Sequence, residues 1–275
     1  MRAKTTTGKQ VLPPALLRVL THSLPIIKKA DERIPSAFFA SHQHATLTQH
    51  DTDGRHMTTS TFKHAAALIA VLVLTTPAAR AQTAPNPPVS LTVISPIFSQ
   101  LVRFSSPSDF VPVFENLNGN FYTRESVLKG ETAQAWTQMI TVTGTKSLAA
   151  NPTLTPEAYA VSLAGGFKTV CPESFVALPL GAMRFGNQDG FAAIAGCGMV
   201  ASSADKHSEI ALIVTVKGIA DFYTIQWAQR GPTSVAKPTI DRAAWQARLQ
   251  QLSPIRLCAI VPGERAPYPS CVNSK

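Results

Sequence analysis

Cys197, His207 and Glu209 are the three residues whose types could assemble a nucleophilic site. A thiol in the tight Gly196-Cys197-Gly198 stretch, an imidazole to accept its proton and a carboxylate to orient that imidazole are the parts of a hydrolase centre. His207 is the one imidazole after residue 81, and it lies in the charged run Asp205-Lys206-His207-Ser208-Glu209, where a solvated loop histidine is the plainer reading. No Gly-x-Ser-x-Gly elbow offers a hydroxyl in place of the thiol. Glu125 and Glu131 bracket a hairpin and could serve as a carboxylate pair for glycoside cleavage or as part of a weak calcium site, but acids at such a place are expected to be solvated. Gly165-Gly166 and the glycines around Cys197 match neither a phosphate loop nor a dinucleotide fingerprint, so no cofactor is expected. Trp136, Trp227 and Trp245 sit on apolar stripes and read as core anchors rather than ligand platforms. Lys217, Arg230, Arg242 and Arg248 could form a basic patch or disperse into separate ion pairs.

The compartment decides much of this chemistry. Met57 to Gln82 has the anatomy of a secretory signal: Lys63 and His64, an apolar run Ala65 to Leu74, then Pro77 and Ala79-Arg80-Ala81, with cleavage expected after Ala81. The apolar run is about half of the roughly 20 residues that span a bilayer as a helix, so no stable span is expected after cleavage. Residues 1–56 then read as upstream sequence translated in frame before a start at Met57, with a genuine targeting leader or an uncleaved anchor as alternatives. The histidines His42, His44 and His50 could bind a metal only in an ordered leader, and their surroundings are aperiodic; no metal is expected.

Removing residues 1–81 changes the charge argument. The whole chain of 275 residues has a formal net charge of +9, but those residues hold 10 of its 25 Lys and Arg and 4 of its 16 acids, which leaves 15 against 12 and a net charge of +3. A basic surplus that would have suggested nucleic acid therefore belongs to the leader. The whole chain, with 45% hydrophobic and 15% charged residues, is rich enough to bury a core.

All four cysteines, Cys171, Cys197, Cys258 and Cys271, fall after the signal. An even number in an exported chain implies disulfides. Three connectivities are possible, and Cys171–Cys197 with Cys258–Cys271 closes the shortest loops. Zinc is the rival reading, without a Cys-x-x-Cys pair to support it.

These residues must be positioned by the elements around them. Residues 82–100, opening Thr83-Ala84-Pro85-Asn86-Pro87-Pro88, read as a proline-rich spacer, and 101–275 as one domain with a disulfide-tethered tail. Strands are expected over 101–104, 110–116, 121–128, 136–143, 175–185, 191–200, 210–216 and 222–230, broken by turn-forming clusters such as Asn118-Gly119. In 136–143, Trp136, Gln138, Ile140 and Val142 should share one face of a half-buried antiparallel strand. Thr155-Pro156-Glu157 predicts a helix start, with Thr155 as cap and Tyr159, Leu163 and Phe167 as its apolar stripe, and Gly165-Gly166 weakens its interior while allowing a close approach to a neighbour. A second helix should start at Thr239 or Asp241 and end before Pro254, and the tail beyond is too proline-rich to be regular. The expected class is α+β: an antiparallel sheet with two main helices packed on it.

The order of these elements resembles the PsbP-type fold, which is shared by small bacterial envelope proteins of the DcrB type. The resemblance is carried by Val102-Arg103-Phe104, Pro107 and Phe110, by Phe121-Tyr122, Glu125, Gly130-Glu131 and Trp136 to Thr141, and by Trp227-Ala228-Gln229-Arg230. It covers roughly residues 100–252, names no functional residue, and implies a PsbP-like sandwich in an accessory or assembly protein. The expected role is a non-enzymatic binding or accessory protein, periplasmic or secreted, whose partner is an envelope protein or a small ligand and not nucleic acid. The alternative is a periplasmic hydrolase built on Cys197, His207 and an acid such as Glu209.

Overall fold

The computed structural model describes residues 89–200 and 206–273. The expected leader, signal segment and cleavage site at Ala81 all lie outside the described residues.

Ten strands dominate: β1 (Ser90–Ile97), β2 (Gln100–Pro107), β3 (Phe110–Asn118), β4 (Phe121–Leu128), β5 (Gln138–Thr145), β6 (Phe175–Phe185), β7 (Gln188–Cys197), β8 (Ser208–Lys217), β9 (Phe222–Gly231) and β10 (Arg256–Ala259). The helices are α1 (Pro156–Val170), α2 (Arg242–Gln251) and the short α3 (Pro269–Val272). A seven-stranded sheet runs β3-β4-β5-β9-β8-β7-β6 and a three-stranded sheet runs β1-β2-β10, both antiparallel throughout.

This overturns the expected sheet with two main helices on it. The described residues form a mostly β structure closer to a sandwich, because a second sheet takes the place that helices were to fill. Two strands were hidden: β1 lies in the stretch read as spacer, and β10 in the tail read as irregular. Both are partners of β2, and β10 meets it across more than 150 residues of chain, from Arg103 to Arg256. Pairing of that kind leaves no local signal in a four-residue strand.

The face of the large sheet toward β2 is the back face. Alternation sends Ile140 and Val142 of β5, Tyr223, Ile225 and Trp227 of β9, and Leu212 and Val214 of β8 into one apolar layer with Val102, Phe104, Trp245, Leu249 and Leu252. Asp241 caps α2 by accepting from the Ala244 N–H at 3.1 Å, and Trp245 and Leu249 are the residues that helix buries.

Helix α1 covers part of the opposite, front face, packing on β6, β7 and β8. Its start follows the sequence: Thr155 accepts from the Ala158 N–H at 3.1 Å, Pro156 takes the first turn and Glu157 faces the helix dipole. Tyr159, Leu163 and Phe167 are the buried stripe. A Cβ at Gly165 would meet open space, so that glycine does not serve close approach. The helix is fastened at both ends: the Thr215 hydroxyl donates to the Pro156 carbonyl at 2.8 Å, and Cys171 just beyond its last turn is bonded to Cys197 on β7.

Strand β5 is buried on both faces rather than one, with Met139, Thr141 and Thr143 as inaccessible as Ile140 and Val142. It begins at Gln138, and Trp136 lies before it, in the front-face core, opposite the phase its spacing suggested.

Candidate functional site

The described cysteines are all paired. Cys171 is joined to Cys197 with Cα atoms 5.8 Å apart, and Cys258 to Cys271 with Cα atoms 5.6 Å apart, the two short-loop pairs. Cys197 is therefore no free thiol, and the Cys197/His207 nucleophilic pair has lost its attacking atom. Among the described residues no group of three or more His, Cys, Asp and Glu side chains is placed to hold a metal.

His207 does not sit in solvent. It is 5% exposed at the entrance to β8, where its carbonyl accepts from the Val200 N–H at 2.8 Å. Its Nε2 lies 3.4 Å from Glu209 Oε2, and the same oxygen lies 3.9 Å from Arg230 Nε. Arg230 is directly across from Glu209 on β9, and its guanidinium lies over Trp136, 3.7 Å from the ring centroid. One buried carboxylate thus serves two basic side chains, with an aromatic face beneath one of them.

A second group on the same face went unread in the sequence. Glu125 was expected to be solvated with Glu131, but the two part company. Glu131 caps its own turn, accepting from Thr137 N at 3.0 Å and Thr137 Oγ1 at 2.6 Å. Glu125 is 2% exposed, inside the molecule. The reason is phase: Phe121, Thr123, Glu125 and Val127 alternate along β4 and all point to the front. The register then sets Thr141 opposite Glu125, Gln226 opposite Thr141, and the row Thr123, Thr143, Thr224 and Thr215 beside it. An acid in phase with Phe121 and Val127 was the available signal.

The two rows differ in how they are satisfied. Thr143 and Thr224 hydroxyls bond each other at 2.6 Å, and Thr215 bonds to α1. Thr123 Oγ1, Glu125 Oε2 and Thr141 Oγ1 are buried with no hydrogen-bond partner. Burial pushes the Glu125 carboxyl up to about 7, with the positive charge of Arg230 acting the other way. A carboxyl at that value exchanges its proton near neutrality, and its empty oxygen favours a donor.

The remaining expectations resolve into structure. Trp227 donates to Gln138 Oε1 at 3.0 Å, and the Arg248 guanidinium lies 4.2 Å from the Trp245 ring centroid and 5.3 Å from that of Trp227. Lys217 donates to the Leu154 carbonyl at 3.0 Å and Arg242 to the Pro179 carbonyl at 3.0 Å. With Arg230 on the front face and Arg248 on the back, these four cations form no single patch. No helix among the described residues is long and apolar enough to cross a membrane.

Asp221 is a further buried acid. Its carboxylate accepts from the Ser99 N–H and hydroxyl, from the Ser147 N–H at 2.7 Å and from the Tyr223 hydroxyl at 3.2 Å. Burial alone would raise it, but these donors outweigh burial and hold it below the usual carboxylate range. It is fully engaged, which marks it as structural.

No family model matches this chain, and no curated protein matches it. Among solved structures, the Ran-binding protein Mog1p of Saccharomyces cerevisiae is similar with a TM-score of 0.38 and 9% identity, over 60% of this chain and 93% of that one. A point mutant of Mog1 gives a TM-score of 0.36 and 10% identity, over 60% of this chain and 85% of that one. A likeness of this size assigns this chain neither a fold nor a role.

Proposed function

We propose that the protein is an exported binding or accessory module of the bacterial envelope, periplasmic or secreted, which holds a ligand or partner on the front face of its large sheet without transforming it. The observation that carries this reading is the set of three buried, unpartnered oxygens on Thr123, Glu125 and Thr141. An orphaned buried acceptor costs about 1–3 kcal/mol, and a fold that keeps three side by side gains from whatever donor completes them. Two disulfides suit an oxidising compartment, in keeping with the export signal expected from the sequence. A relation to the PsbP and DcrB type of envelope protein belongs to this proposal and rests on the sequence pattern alone.

Two measurements test it. N-terminal and intact-mass analysis of the exported protein should give Gln82 as first residue and a mass about four daltons below the reduced form, two per disulfide. A chain that keeps residues 57–81, or one retained in the cytosol, removes the export reading. The hydrolase alternative retains the His207–Glu209 pair. It is tested with a panel of fluorogenic esters and peptides on wild type and His207→Asn: turnover that disappears in the variant would replace the binding reading with an enzymatic one.

A further inference from the structure

We propose that Thr123, Glu125 and Thr141 form a receptor for a primary ammonium group, borne by a small amine or by a lysine side chain. This rests on the binding reading above and names the ligand class of the same face.

The geometry is set by the strands. Thr123 and Glu125 share the front face of β4 at a two-residue spacing, and Thr141 stands directly across from Glu125 on β5. The three positions mark a corner, one strand spacing of about 4.8 Å across and one pleat repeat of about 6.8 Å along. Each side chain is more than nine-tenths buried and each retains an oxygen with no partner. The two hydroxyls do not satisfy the carboxylate, although both flank it.

What completes such a corner must donate in several directions and carry positive charge. A primary ammonium has three N–H donors and no acceptor, one for each oxygen. A guanidinium presents a planar fork and suits one carboxylate edge-on rather than three separate acceptors. A calcium ion takes six to eight oxygens and generally more than one carboxylate, which these residues do not supply. A neutral polyol would bond the oxygens without favouring the ionised form of Glu125.

The surrounding charges agree. Glu125 on β4 and Glu209 on β8 face the front with Arg230 on β9 and His207 at the start of β8. Arg230 and His207 both lie within ion-pair distance of Glu209, while Glu125 feels the charge of Arg230 without forming an ion pair with it among the described residues. A ligand cation at Glu125 therefore supplies charge to the carboxylate that lacks a close one. It also stabilises the ionised carboxylate, so binding and proton release are coupled.

The test uses the disulfide-intact protein with carbon-13 in its glutamate carboxyls, titrated near pH 7 at fixed ionic strength. The probes are n-butylammonium, Nα-acetyl-lysine amide, tetramethylammonium and glycerol, and the Glu125 carboxyl resonance is the readout. The two primary amines should move that resonance saturably toward its ionised position; tetramethylammonium, which has no donor, should not. A preference for butylammonium points to a free amine, and one for the lysine amide to a protein-borne lysine. Glu125→Gln should abolish saturable amine binding, and Thr141→Val, which keeps the shape, should weaken it about tenfold through one lost charge-assisted bond. Saturation by glycerol with no response to amines overturns the ammonium assignment and leaves the binding reading standing. No saturable response to any probe overturns both the ammonium receptor and the front face as a ligand seat.

Discussion

The two faces of the large sheet are built by the same strands and bury different chemistry. On β9, Tyr223, Ile225 and Trp227 go to the back and Thr224, Gln226 and Ala228 to the front; on β5, Ile140 and Val142 are set against Thr141 and Thr143. The back face meets a second sheet and α2, and its side chains fill an apolar layer that asks nothing further of the chain. The front face is apolar under α1, on β6 to β8, and turns polar on β4, β5 and β9. Burial costs little on the first face and is costly on the second, so stability resides in one and the unsatisfied polar groups in the other.

The sharpest break between them should come from the back. Leu212, fully buried, sits in the middle of that layer. Leu212→Ala should cost about 4 kcal/mol in denaturant unfolding through lost transfer energy and a cavity, while the Glu125 carboxyl keeps its titration. If both shifted together, the two faces would not be independent.

The clasp on α1 comes next. Replacing Cys171 and Cys197 together by Ala should lower stability by about 3.5 kcal/mol through the freed loop, and hydrogen exchange should rise in α1 before it rises in β8 or β9. Equal loss of protection everywhere would refute a clasp that serves the front face.

Glu125 distinguishes the faces by pH. Its folded carboxyl titrates near 7 against an ordinary value of 4.5, so between those values the folded state holds the proton more tightly than the unfolded one. Stability should therefore fall as pH rises from about 4.5 to about 7, by about 3 kcal/mol in all, and level off above. Glu125→Gln should remove that slope and leave the protein more stable than wild type at pH 8; urea midpoints across the range measure it.

The smallest contrast lies within the front face. Thr141→Val removes an unpartnered hydroxyl and should stabilise by about 1 kcal/mol, whereas Thr143→Val orphans the Thr224 hydroxyl and should destabilise by a similar amount. Thermal unfolding of the two variants should move in opposite directions.

Local physics made part of this molecule readable. The Thr155-Pro156-Glu157 start, the stripe of Tyr159, Leu163 and Phe167, and eight of ten strands follow from capping chemistry and alternation, which act within a few residues. Strands β1 and β10 depend on β2 and were not legible, and the same holds for the choice between helices and a second sheet as cover for the back face. The charged run around His207 reads as a solvated loop, yet the Glu209 carboxylate two residues on gives the imidazole a partner inside. Glu125 shows the reverse lesson: alternation places this acid in phase with Phe121 and Val127, and that phase outweighs the ordinary preference of a carboxylate for solvent.

Asp221 has a consequence for how the two sheets move. They share no strand, so backbone ladders do not join them. At one end this carboxylate gathers the Phe98-Ser99 turn between β1 and β2, the turn after β5 at Ser147 and the turn into β9. It acts as a rivet through two plates. With the rivet removed, each plate keeps its own stiffness while the joint at that end is weakened, still held by the Ile219 N–H on Gln100 Oε1 and the Tyr223 hydroxyl on the Ile97 carbonyl. An Asp221→Ala protein should therefore show its first loss of order as a loosened joint and not as a melted strand.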